Sequence, residues 1–177
     1  MTGKLKSVVL RISGGVDLVA SAVTSIAIIV LVAVVLLQVV ARYVFQQPPP
    51  YTEELARYSM IWAGLIGASM AFKRRFDPAL MNGVKNGPEW LQVLAEIVRS
   101  AVVLIYLTPI FVYCFFGPGL NPARGFLLRH SKTMAEALPF STVWVAVAVP
   151  LMIVVIFVHL LARWCGDGWV NRRAMPD

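Results

Sequence analysis

The sequence predicts an all-α integral membrane protein: four transmembrane helices, preceded by a short amphipathic helix at the membrane interface. Three observations predict it. Apolar segments run over Leu18–Val40, Leu55–Phe72, Ile97–Phe116 and Phe140–Ala162. A helix rises about 1.5 Å per residue, so about 20 apolar residues cross a hydrocarbon core about 30 Å thick. Each segment reaches or approaches that length. Hydrophobic residues make up 59% of the chain and charged ones 14%, outside the range of a soluble domain. In lipid every backbone N–H and C=O must be satisfied within the chain, so such segments are helical. The connections are too short for a folded extramembrane domain, and residues 1–177 read as one membrane unit.

Residues 1–16 set Lys4, Lys6 and Arg11 among Leu5, Val8, Val9 and Ile12. That spacing suits a short helix lying on the inner leaflet, with Gly14-Gly15 as the corner into the first span. The apolar stretch beyond is too long for a signal-peptide core and no A-x-A-like site follows, so a retained span is expected. Its polar residues are Ser21, Thr24, Ser25 and Gln38.

The net charge of +7 does not point to nucleic acid, because the basic residues gather at the ends of the apolar segments. Ten of them (Lys4, Lys6, Arg11, Lys73, Arg74, Arg75, Lys85, Arg163, Arg172 and Arg173) fall on the side of the termini and second loop. Five (Arg42, Arg57, Arg124, Arg129 and Lys132) fall on the other side. The more basic side is cytoplasmic, which places both termini inside. Lys73-Arg74-Arg75 is the strongest topological signal and a candidate contact for phospholipid headgroups.

Between the first two spans, Pro48-Pro49-Pro50 forces an extended turn. Thr52 is then a suitable N-cap, and Glu53 and Glu54 stand in the first turn, where the helix dipole favours negative charge. Arg57 lies within reach of either carboxylate. The element reads either as an internally paired helix start or as a contact for a partner. Gly64, Gly67, Ala68 and Ala71 share one face of span 2, and small residues so placed let another helix approach closely. That helix is a further span of this chain or a second protein.

The second loop carries turn signals at Asn82-Gly83 and Asn86-Gly87-Pro88. Trp90–Arg99 is amphipathic, with Glu96 and Arg99 at i,i+3; both are expected at the inner interface, with Arg99 reaching headgroups, and a buried functional pair is the alternative. Pro109 and Pro150 are expected to kink the last two spans. The third loop, Gly117–Leu138, sets Arg124, Arg129, His130, Lys132 and Glu136 among apolar residues, as a short interfacial helix would. Cys114 and Cys165 fall at opposite ends of the bundle, too far apart for a disulfide.

Enzyme motifs are absent: no phosphate-binding loop, no H-E-x-x-H and no nucleophile elbow. No catalytic residue, metal ligand set or cofactor is expected. His159 lies near the inner end of span 4, where it reads as an interfacial residue rather than a ligand, and His130 lies in an outside loop, which does not make a bis-histidine haem site. That weighs against a membrane anchor of a respiratory enzyme. A self-sufficient four-span multidrug-type exporter needs a carboxylate within span 1, and Leu18–Val40 has none. Nor do the spans carry the broken-helix, inverted-repeat pattern of a substrate site.

The segment Arg42-Tyr43-x-Phe45…Pro50-x-Thr52-Glu53-Glu54-x-x-Arg57…Trp62…Gly67-Ala68…Arg74-Arg75 resembles the DctQ-like small membrane subunit of TRAP (tripartite ATP-independent periplasmic) transporters. The likeness extends to length, span number and the Leu138-Pro139 pair opening the last span. Two departures stand out. Tyr51 occupies the place where the family usually has Trp, and the residues after the basic cluster lack the usual Gly-His-Ile. The resemblance implies a non-catalytic subunit of the bacterial inner membrane. It would pack against the scaffold of a large elevator-type subunit, in sodium-driven uptake of an organic acid delivered by a periplasmic binding protein. It marks Arg42, Tyr43, Tyr51, Glu53, Glu54, Arg57 and Trp62, with the small-residue face, as candidates for the subunit interface.

Overall fold

A computed structural model describes residues 2–74 and 89–167. In chain order it has α1 (Thr2–Tyr43), α2 (Pro50–Arg74) and α3 (Glu89–Phe115). A 3-10 turn (Pro122–Arg124) and a short helix α4 (Phe126–Lys132) follow, then α5 (Val143–Ala146), α6 (Ala148–Ala162) and a closing π-turn (Arg163–Asp167). The all-α class is as the sequence predicts. Among the described residues three stretches, Gly3–Tyr43, Trp90–Phe115 and Val143–Cys165, are long and apolar enough to cross a membrane. α2, with 25 residues, has the length but is the more polar helix.

α1 departs from expectation. There is no corner at Gly14-Gly15 and no separate N-terminal helix: one helix of 42 residues runs through both glycines. At 1.5 Å per residue it is about 63 Å long, twice a hydrocarbon core. Each glycine costs a helix about 1 kcal/mol relative to alanine. Contacts on either side offset that, because Ser13 and Asp17, one turn apart, are both tied to other helices.

α1 and α2 run antiparallel and share the longest interface of the fold. The buried residues of α1 are Ser13, Ala20, Ala27, Val34 and Ala41, one every seven positions. Those of α2 include Thr52, Ser59 and Ile66 at the same interval. A repeat of seven is the signature of two helices wound left-handedly about a common seam. Ala and Ser dominate it, so the backbones approach closely, as membrane packing favours. Between Leu18 and Val40 the outer face of α1 is predominantly apolar.

α6 is the most enclosed helix. It lies against α1 and α2 on one side and α3 on the other. Ile153 and Ile156 meet Leu107 of α3, with Phe72, Val103, Phe111 and Phe157 packed around them. α3 continues through Pro109 as a single helix. At Pro150 the missing N–H leaves the Ala146 carbonyl without its helical donor, and the helix is interrupted at Val147 between α5 and α6.

The connection from α3 to α5 is built rather than loose, and α4 is the short helix the sequence suggests there. Gly117 and Gly125 make it close. A Cβ on Gly117 would fall onto the Arg124 carbonyl, and one on Gly125 onto the Phe115 carbonyl. The turns at Asn82-Gly83 and Asn86-Gly87-Pro88, and the basic residues Arg75, Lys85, Arg172 and Arg173, lie outside the described residues.

Candidate functional site

Polar side chains gather at the two ends of the bundle. At the end where α2 begins, the helix starts at Pro50 rather than after Thr52, as suits a proline with its φ already fixed. Thr52 is therefore not the cap. It is fully buried and its hydroxyl donates to the Pro49 carbonyl at 2.7 Å.

The two adjacent glutamates divide. Glu53 points outward and accepts from Arg57 at 3.3 Å in an exposed i,i+4 pair. Glu54 points inward and anchors the chain ahead of α5. Its carboxylate accepts the Tyr58 hydroxyl and the backbone N–H groups of Glu136 (3.1 Å) and Ala137 (2.8 Å). The Tyr58 hydroxyl first, then the two amides and Arg57, hold this carboxyl below its ordinary value of 4.5 against the opposing effect of desolvation. Phe140 packs its ring beside Tyr58. His130 Nδ1 lies 2.9 Å from the Thr142 hydroxyl, closing the same loop.

Along α2 the exposed positions are Pro50, Tyr51, Glu53, Arg57, Met60, Gly64, Ala68, Ala71 and Arg74. From Glu53 onward they recur at three- and four-residue steps, so they form one stripe down the helix. Nothing lies within 4 Å of a Cβ built on Gly64. Gly67, by contrast, faces α1, with Thr24 Cγ2 at 3.6 Å from such a Cβ. The small-residue face is thus two faces: Gly67 serves the internal seam, while Gly64, Ala68 and Ala71 look away from the bundle. Trp62 is half-buried, and Arg42 and Tyr43 are exposed at the end of α1.

At the opposite end every long helix contributes to a polar belt. Ser13 and His159, each 1% exposed, meet at 3.0 Å between hydroxyl and Nδ1. Lys73 reaches across from α2, donating to the Ser13 carbonyl at 3.0 Å and pairing with Asp17 at 3.4 Å. On α3, Glu96 faces Arg163: Nη2 donates to Oε2 at 3.1 Å, while Nε stands 2.8 Å from Oε1 without the alignment of a hydrogen bond. The same guanidinium lies over the Phe72 ring, and Trp164 donates to the Ser100 hydroxyl at 3.0 Å. Glu96 therefore pairs with Arg163, sixty-seven positions away. Lys73, expected at the headgroups, is engaged inside the bundle, whereas Arg74 is exposed.

Sequence reasoning passed over Asp17, which stands one residue before the first apolar segment, and left His159 as an interfacial residue. The available signal was Asp17 itself: a single acid on α1, beside a span, has to find a cation. Both cysteines are free thiols.

A search of curated proteins returned no match. One family model does match, over residues 31–167, and its description is "Tripartite ATP-independent periplasmic transporters, DctQ component". That span begins within α1 and includes the α2 stripe, the Glu54 anchor and most of the polar belt.

Proposed function

Because this chain belongs to the DctQ-component family of tripartite ATP-independent periplasmic transporters, we propose that it is the small, non-catalytic permease subunit of such a transporter. It packs against the scaffold of a large elevator-type membrane subunit. Together they take up an organic acid that a periplasmic binding protein delivers, driven by a sodium gradient. The chain sits in the bacterial inner membrane with both termini cytoplasmic, and α2 is its fourth span.

The observation that carries this reading is the outward stripe of α2. It lies inside the matched region, and Gly64, Ala68 and Ala71 offer a surface on which a second helix can approach closely. Glu53 and Arg57 end the stripe with an exposed charge pair for polar contacts at the membrane surface. Tyr51, Arg42 and Tyr43 stand at the same end as interface anchors. The seam between α1 and α2 supports α2 as a span, since α1 crosses with its buried face against it. Among the described residues the charged groups gather toward the two ends of the bundle, which suits a supporting subunit better than a substrate path. Arg74 is exposed toward inner-leaflet phospholipid, with Arg75 beside it in sequence, and Arg99 is a further candidate for that contact.

The test is purification of a tagged chain from native membranes in mild detergent, with mass spectrometry of what accompanies it. A stoichiometric larger polytopic protein is expected. A homo-oligomer without one would overturn the reading.

A further inference from the structure

On the face of the bundle where α1 meets α6 there is a groove of about 360 Å³ whose lining is wholly apolar. Gly15, Val19 and Val23 form one wall, and Leu151, Val154 and Val158 the other. Gly15 opens the space at one end, since a Cβ there would meet nothing within 4 Å. The volume falls within the range of small-molecule sites.

The charge at the mouth identifies the occupant. Arg11, Gly15, Val19 and Val23 follow one another at four-residue steps, so one face of α1 passes from a cation directly into the groove. Arg11 is exposed, and Lys4 stands exposed two turns further out on the same side. Asp17, the single acid of α1, is turned to Lys73 and leaves that cation face unopposed. A slot that takes hydrocarbon, ending in a guanidinium at the membrane surface, matches a chain attached to a phosphate. We propose that this groove holds one acyl chain of an anionic phospholipid, with its phosphate met by Arg11. The proposal rests on the chain spanning a membrane and is independent of the large subunit.

The full-length chain is purified and exchanged into detergent, then titrated with phosphatidylglycerol or phosphatidylcholine and read by native mass spectrometry. One phosphatidylglycerol is expected to stay bound under activation that strips phosphatidylcholine. Arg11→Gln, at an exposed position, should lower that preference about fivefold, the worth of one basic residue at a charged surface. Val154→Trp fills the groove and should remove the retained lipid of either type, and circular dichroism on both variants confirms retained helix content. Equal retention of the two lipids by the unaltered chain would overturn the proposal. So would retention unchanged in Val154→Trp, or a photo-crosslinker at Val154 that captures polypeptide instead of lipid. None of these results bears on co-purification with a larger subunit, so the two readings fail separately.

Discussion

The carboxylate of Glu54 accepts the backbone N–H of Ala137 at 2.8 Å, binding the first turn of α2 to a segment eighty-three positions away. Glu54→Gln keeps the shape and loses the charge, and one of its two acceptor oxygens becomes a donor facing an amide. The amides of Glu136 and Ala137 should then exchange hydrogen several-fold faster, by mass-resolved hydrogen exchange. The protection at Ile153 should stay as it was.

The same contact has a pH dependence of definite sign. Its carboxyl titrates lower in the folded chain than the ordinary 4.5. The stability it contributes is therefore complete above about pH 4.5 and is lost as pH falls through the lower folded value. Thermal unfolding in detergent should separate the native chain from Glu54→Gln at pH 6 and bring the two together towards pH 3.

Gly64→Leu and Gly67→Leu should fail in different ways. Gly64 faces open space, so its replacement leaves the monomer intact and weakens retention of the large subunit in a pull-down. Gly67 faces Thr24 across the seam, so its replacement pushes α1 and α2 apart and lowers the stability of the chain itself. A Gly64→Leu chain that retains its partner at native yield would remove the α2 stripe from the interface.

Ala27 lies on the seven-residue seam and is 9% exposed. Ala27→Leu should cost about 1–3 kcal/mol by overpacking, read by steric-trap or detergent unfolding. Ile29→Ala, on the outer surface of the same helix, should be close to neutral.

Removing one partner of the Glu96–Arg163 pair should cost about 2–3 kcal/mol, at or below the lower end for buried pairs. Arg163 is 5% exposed, but Glu96 keeps 34% of its side-chain surface. The double change Glu96→Leu with Arg163→Met should cost less than Arg163→Met alone, and the cycle measures the coupling.

The sequence made the helices legible because lipid rewards apolar length, and it made the Glu53–Arg57 pair legible because four residues on a helix are neighbours. The α1–α2 seam was hidden for the same reason that membrane proteins differ from soluble ones. Its alanines and valine sit among residues as apolar as themselves, so burial leaves no contrast to read. Glu96–Arg163, Lys73–Asp17 and Ser13–His159 were hidden by separation along the chain. In each case a simpler reading is on hand: the inner interface for Glu96 and His159, topology and headgroups for Lys73. The unbroken passage through Gly14-Gly15 was misjudged because local cost was weighed without the contacts at Ser13 and Asp17 that outweigh it.

α1 has no joint, and this makes it a shaft whose two ends share one rotational phase. Ser13 and Asp17 fix its angle at the polar belt, and Ala41 takes that angle to the far end of the seam, about 42 Å away. A single inserted residue turns everything beyond it by about 100° and has no loop in which to dissipate. It would swing Ser13 off His159, or Ala41 out of the seam, depending on which end is held. Seven inserted residues restore the phase. Length along α1 is thus adjustable only in whole heptads.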